Sequence, residues 1–281
     1  MMKKIIIIPV LIIALQGCIS QQVNESNIFN PVKEFELSKS FNFYRAFLET
    51  KDSVLIESWY LTKNNADFNL IYISGNGSNV RSAVPFFNQL DAHFNLNIFT
   101  FNYRGYGLSN GEPSINGIIE DGKSALSFFY DKIGNKNLPT VILGYSLGGF
   151  VAMNLIQGEQ TEYIDKAIIM STFTSIEELE KYLLKEALPG IVRPFLNLEI
   201  DTAIYKLNNL KLVQNSRIPI LFIHGEKDDF IPPSMSYSLY NLSPSENKTI
   251  KIIEGADHRM VLKNNGSNKM VVDEIKKFLQ L

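Results

Sequence analysis

The sequence holds one cysteine, three histidines and one tryptophan in 281 residues, and neither sign of charge dominates it. A single thiol forbids a disulfide within one molecule, so the fold must rest on its hydrophobic core. Three histidines without ligand spacing, and one thiol, give no basis for a metal site. Lys and Arg number 27 against 29 Asp and Glu, and no long run of one sign interrupts the chain. That balance lacks the basic footprint of a nucleic-acid binder, and nucleic acid is excluded as the main partner. With 45% hydrophobic and 20% charged residues, the composition is that of an ordinary globular protein, long enough to bury a core on both sides of a sheet.

Long apolar runs are also scarce, and the most prominent one lies at the start. Lys3 and Lys4 precede an apolar stretch over residues 5–15, followed by Gln16, Gly17 and Cys18. A basic head, a short apolar stretch and a small residue before the break are the marks of a secretory signal over residues 1–17. The stretch is shorter than the roughly 20 apolar residues of a membrane-spanning helix. Leu15-Gln16-Gly17-Cys18 resembles the lipobox of bacterial lipoproteins, which implies that Cys18 is acylated and becomes the first mature residue. A plain signal peptide with an incidental cysteine is the alternative. Residues 18–39 then read as the anchor cysteine and a polar linker, and residues 40–281 as one domain. The implied location is the bacterial cell envelope, lipid-anchored to a membrane.

Beyond the linker, alternating residues around Phe43, Arg45 and Phe47, then Val54, Ile56 and Trp59, predict two antiparallel strands joined by a turn at Lys51-Asp52. Short apolar runs follow at 69–74, 96–102, 140–144, 166–170, 219–224 and 249–253. Helix-length segments lie near 79–93, 114–133, 146–158, 175–187, 233–241 and 268–280. Continuous apolar strands alternating with helices predict an α/β fold, a mostly parallel sheet covered on both faces. Ligands of such sheets bind beyond the carboxyl ends of the strands, so chemistry is expected just after each run.

After the run at 140–144 comes Gly144-Tyr145-Ser146-Leu147-Gly148. A Gly-x-Ser-x-Gly string between strand and helix makes a turn so tight that side chains at the glycines would collide with neighbouring elements. Ser146 is thereby presented at a helix N-terminus, where negative charge is favoured. A serine needs a base, and the candidates are His93, His224 and His258. His93 falls in a helix far upstream, as a surface or packing residue. His224 ends a strand before Gly225, a place that supports a turn. His258 follows the last strand and precedes the last helix, where a loop can return the imidazole over the sheet, so it is assigned as base. A carboxylate to orient it is expected from Asp228 or Asp229, in the loop after the strand at 219–224, with Asp257 a weaker rival.

The chain order Ser146, Asp228, His258 is that of the α/β-hydrolase triad. The stretch HGEKDDFIP at 224–232 is similar to the family's His-Gly-x-x-Asp-x-x-Val-Pro pattern, which implies Asp228 as the triad acid. The stretch FNYRGYGLSNGEPS at 101–114 resembles the family's Asp-Tyr-Arg-Gly-Tyr-Gly-x-Ser loop, with Asn102 in place of the aspartate. Residues 74–79, SGNGSN, resemble its His-Gly-Asn-x-x-Asn loop, with Ser74 in place of the histidine. The resemblance covers about residues 54–281 and implies backbone oxyanion donors at Leu147 and Asn76. A phosphate cradle at 75–79 is the competing view, but no Lys-Ser or Lys-Thr follows it.

Residues 171–217 depart from the strand and helix alternation and carry many apolar residues, which predicts a small cap or lid. It is expected either to line an acyl pocket or to pack onto the core. The implied protein is an anchored serine hydrolase, of carboxylesterase, lipase or thioesterase type, that opens an ester, thioester or amide in a small-molecule or lipid-like acyl substrate. No cofactor is implied. The alternative is a catalytically silent, membrane-anchored binding module of the same fold. If Cys18 is the anchor, Cys18→Ala abolishes incorporation of a radiolabelled fatty acid and releases the protein from the membrane fraction. Unchanged labelling in the variant would remove Cys18 from that role.

Overall fold

Runs of Val, Ile, Leu and Phe too short for helices and without polar alternation are stable only as strands covered on both faces. In the computed structural model, which describes residues 20–23, 43–134, 136–157, 159–187, 197–259 and 266–280, they form the centre of a sheet. Cys18, the segment 1–17, most of the linker and the apolar residues 188–196 lie outside the described residues. In chain order the strands are β1 (Ser20–Val23), β2 (Phe43–Glu49), β3 (Leu55–Leu61), β4 (Phe68–Ile73), β5 (Leu96–Phe101), β6 (Thr140–Tyr145), β7 (Lys166–Met170), β8 (Asn197–Ile200), β9 (Ile220–Gly225) and β10 (Lys248–Ile253). Every residue of β4, β5, β6 and β9 is buried.

Among the described residues, eight strands form one sheet in the order β10-β9-β7-β6-β4-β5-β3-β2. β2–β3 and β3–β5 are antiparallel, and the remaining pairs are parallel. The parallel part changes direction at β4. β5 pairs with one edge of it and β6 with the other. The register Ile73↔Gly144 brings the loops leaving β4 and β6 side by side, at the kind of switch point where open α/β sheets bind ligands.

The helices are α1 (Val84–His93), α2 (Ile115–Phe128), α3 (Leu147–Leu155), α4 (Ile176–Ala187), α5 (Asn209–Val213), α6 (Pro233–Leu242) and α7 (Gly266–Leu279). Phe86, Phe87 and Leu90 of α1 and Val271, Val272 and Ile275 of α7 pack on one face of the sheet. α2, α3, α5 and α6 pack on the other, around Phe99, Phe101, Ile142 and Phe222. Ser114 starts α2 by accepting the Gly117 N–H at 3.1 Å, and its apolar residues Ile115, Ile118, Ala125 and Leu126 share the buried side. Among the described residues no helix is long and apolar enough to cross a membrane.

Three expectations shift in detail. The helix near 79–93 begins only at Val84, because Asn79 Oδ1 takes the N–H groups of Arg81 and Ser82 into a local turn, and Pro85 suits a helix start. The helix near 114–133 ends at Phe128 and continues as a π-turn over Phe129–Ile133. Within the expected linker, β1 pairs in parallel with β8 of the 171–217 segment, from Ser20↔Asn197 to Val23↔Ile200. A backbone ladder needs no apolar side chains, so the polar sequence SQQV carries no signal for it.

α3 lies so close to the sheet that a Cβ on Gly148 would run into the Ile73 and Ser74 carbonyl oxygens. These are backbone atoms and cannot turn aside. Gly148→Ala is expected to destabilise the fold by about 3 kcal/mol, the upper range of overpacking, read as a lowered urea midpoint. A midpoint within error of wild type would show that α3 can lift from β4 at no cost.

Candidate active site

The tight joint between β6 and α3 puts Ser146 at φ 54° and ψ −117°, a left-handed conformation for a residue with a side chain. Its backbone is held on both sides. The Ser146 N–H donates to the Met170 carbonyl at 2.9 Å, and its carbonyl accepts the Thr172 hydroxyl at 2.8 Å. Thr172 is itself met by Asn209 Nδ2 at 3.3 Å, and the same amide group donates to the Phe173 carbonyl at 2.8 Å. The described part of the 171–217 segment thus buttresses the turn. Phe173, Leu179, Ile204, Leu207 and Val213 belong to the core, while residues 188–196 lie outside the described set.

His258 Nε2 stands 3.1 Å from Ser146 Oγ, and His258 Nδ1 stands 2.6 Å from Asp228 Oδ2. A carboxylate accepts, so Nδ1 carries the proton and Nε2 presents a lone pair to the serine hydroxyl. The imidazole lies between two aromatic rings. Tyr145 is tilted against it at 5.5 Å between centroids, and Phe230 meets it edge-on at 5.3 Å. The Tyr145 hydroxyl also donates to the His258 carbonyl at 2.6 Å, and burial raises its pKa, keeping it a donor.

Asp228, in the turn after β9, is surrounded by donors. Its Oδ1 accepts the N–H groups of Phe230 and Ile231 at 3.1 and 2.8 Å. Its Oδ2 takes His258 and, at 3.1 Å, His224 Nε2. Burial opposes the charge of Asp228, but hydrogen bonds from His224 and His258 outweigh it and hold the carboxyl down at about 2. Asp229 is exposed, and Asp257 accepts the Arg259 N–H at 3.1 Å. His93 is exposed at the end of α1.

His224 is the residue whose part the sequence understates. It is fully buried, with Nδ1 2.6 Å from Ser236 Oγ and Nε2 2.8 Å from the Ile231 carbonyl. Both neighbours of Nε2 are acceptors, so that nitrogen carries the proton and the serine hydroxyl donates to Nδ1. The imidazole does more than support a turn, since it also donates to Asp228. A histidine four residues before the acid is the only sequence signal of this, and a helix or strand reading gives no reason to pair them.

The loop over residues 74–79 leaves β4 beside the Ser146 turn. A Cβ on Gly75 would come within 3.1 Å of Ser146 Cβ. Asn76 follows it, exposed, and Leu147 opens α3, where the first N–H groups of a helix have no partner within it. Both expected oxyanion positions therefore flank the serine. A surface cavity of about 710 Å³ between β2, α2 and the end of α3, lined by Leu48, Lys51, Lys123, Phe128 and Asn154, includes none of these residues. Among the described residues no group of three or more His, Cys, Asp or Glu side chains is arranged to hold a metal ion.

This sheet, with its strained serine between strand and helix, is the α/β-hydrolase fold. The chain belongs to the serine aminopeptidase S33 family of that fold, whose model matches residues 65–206 and 200–265. It is 28% identical over 255 residues to protein bem46 of Schizosaccharomyces pombe, covering 90% of this chain and 81% of that one. It is 32% identical over 152 residues to a zebrafish protein named lysophosphatidylserine lipase ABHD12, covering 52% of this chain and 39% of that one. Among solved structures, an esterase of Pyrococcus furiosus, Pf2001, superposes with a TM-score of 0.70 at 19% identity, covering 90% and 97% of the two chains. Membership of this family makes hydrolysis the class of chemistry.

The depressed Asp228 value sets an acid limit. Its folded pKa lies below the unfolded value of about 3.9, so its stabilisation is complete above that pH and is lost as pH falls through about 2. Urea midpoints measured from pH 5 to pH 2 should therefore fall more steeply for wild type than for Asp228→Asn. Parallel curves would show that this carboxylate is not held in its charged form by folding.

Proposed function

We propose that the protein is a serine esterase acting on lipid-like acyl esters through an acyl-enzyme, with Ser146 as nucleophile, His258 as general base and acid, and Asp228 as the residue that orients His258. The observation that carries this reading is the continuous chain of contacts from Ser146 Oγ to His258 Nε2 at 3.1 Å and from His258 Nδ1 to Asp228 Oδ2 at 2.6 Å. Ser146 Oγ bonds to the acyl carbon as its proton passes to His258 Nε2. The carbonyl oxygen gains the negative charge, and the N–H groups of Leu147 and Asn76 stabilise it. The intermediate collapses, the C–O bond to the alcohol breaks, and that alcohol leaves with the proton from His258. Water then repeats the sequence with Ser146 as leaving group and yields the acid.

Asp228 stays ionised throughout and stabilises the imidazolium that forms twice per turnover. The choice of a lipid-like ester draws on three supports: the name of the zebrafish relative, a lysophosphatidylserine lipase, the apolar sequence at 188–192 and 194–196, and the acyl anchor proposed at Cys18. An enzyme tethered in the cell envelope by its own lipid meets amphiphilic esters at the membrane surface.

A fluorophosphonate probe should label wild type and not Ser146→Ala, while Asp228→Asn lowers kcat by about 10³–10⁴ through loss of the correct imidazole tautomer. Turnover of nitrophenyl esters should rise with acyl length. Equal rates for acetyl and long acyl esters would count against the lipid-like substrate, and absence of labelling in wild type would favour the silent binding module.

A further inference from the structure

The two positions at which the chain departs from its family's loops, Ser74 and Asn102, raise the question of what steadies the loop that carries Asn76. Four ties join residues 74–81 to β3 and to residues 102–106. The Tyr103 hydroxyl donates to the Ser74 carbonyl at 3.0 Å, and the Tyr106 hydroxyl to Asn76 Oδ1 at 2.6 Å. The Val80 N–H donates to Asn102 Oδ1 at 2.9 Å. The Arg81 guanidinium lies over the Trp59 ring, 4.8 Å from its centroid.

Beneath these ties sits Glu57 of β3, with none of its surface exposed. Its Oε2 accepts Asn102 Nδ2 at 2.7 Å and the Leu108 N–H at 3.1 Å, and its Oε1 accepts Trp59 Nε1 at 2.9 Å. Ser109 Oγ closes the group, accepting the Glu57 N–H and donating to the Asn102 carbonyl, each at 2.9 Å. Gly107, at φ 53°, passes over the pair, and a Cβ there would strike Asn102 and Glu57. A buried carboxyl group that accepts three donors orients each of them.

We propose that Glu57 is a positioning residue for the proposed oxyanion loop. It holds the Asn102 amide with its Nδ2 edge inward, so that the Oδ1 edge grips Val80 and fixes the loop carrying the Asn76 N–H. This role rests on the reading of Asn76 as an oxyanion donor. Glu57 and Asn102 form a matched acceptor and donor. The aspartate that the family's loop carries at this position would set one acceptor oxygen against another here in place of the Asn102 donor, which is costly in a buried site.

The test is a swap, read by hydrolysis of a nitrophenyl butyrate ester and by hydrogen exchange of the Val80 amide. Asn102→Asp should lower kcat by about tenfold or more, with KM changed by less than about twofold, since an oxyanion donor acts in the transition state. Glu57→Gln should act in the same direction, because an NH₂ group then faces a donor, and it serves if Asn102→Asp does not fold. The double variant Glu57→Gln/Asn102→Asp again sets one donor against one acceptor at this pair, although the Leu108 N–H loses its acceptor, and should raise kcat at least about threefold above that of Asn102→Asp and slow Val80 exchange towards its protected rate. A double variant no better than Asn102→Asp, or losses confined to KM, would overturn the positioning role. If wild type hydrolysed no ester, the proposed esterase would fall instead, and Val80 exchange in the same variants would still decide whether Glu57 holds the loop.

Discussion

The close approach of α3 to β4 and β6 is the constraint on which the remainder of the site depends. Glycines at 144 and 148 let helix and strands meet at backbone distance, and the chain between them has room only for a turn at φ 54°. Such a conformation persists only when its surroundings over-determine it. Here they do, through hydrogen bonds from Ser146 to Met170 and Thr172 and through a helix buried at almost every position. The strain has a chemical result: the serine hydroxyl stands at a helix N-terminus, beside the loop after β4 and within reach of an imidazole.

Electrostatics completes what packing begins. A buried carboxylate would raise its pKa and lose its charge unless donors offset the lost hydration. Asp228 receives two backbone N–H groups and two imidazoles, and remains ionised down to about 2. His224 is thus tied to the same carboxylate as His258, with Ser236 and Ile231 fixing its orientation. Both imidazoles meet Asp228 in the loop after β9, His224 from the end of β9 itself and His258 from the loop after β10, so the pairing of those two strands sets the distances among them.

Much of this is legible in the sequence alone. Fully buried strands read as continuous apolar runs, and the elbow read as Gly-x-Ser-x-Gly, because sterics permits few residues at those positions. What stayed hidden depended on pairings across the chain. Nothing local links Glu57 to Asn102, 45 residues apart, or distinguishes His224 as a partner of Asp228 rather than a turn support. The strand at Ser20–Val23 was invisible for a different reason. Its backbone pairs with Asn197–Ile200, and a ladder of N–H and C=O groups leaves no imprint on side-chain pattern.

By itself, then, the sequence determined the class of fold, the order of its elements and the glycines that flank Ser146, since each of these follows from local sterics and hydrophobic period. Tertiary structure alone decided the distances. It brought Ser146, Asp228 and His258 together across 112 residues of chain, added His224 to the same carboxylate, and set Asn102 against Glu57. Those outcomes depend on which strands lie side by side and in what register, and that is settled by the packing of the whole core rather than by any segment of it.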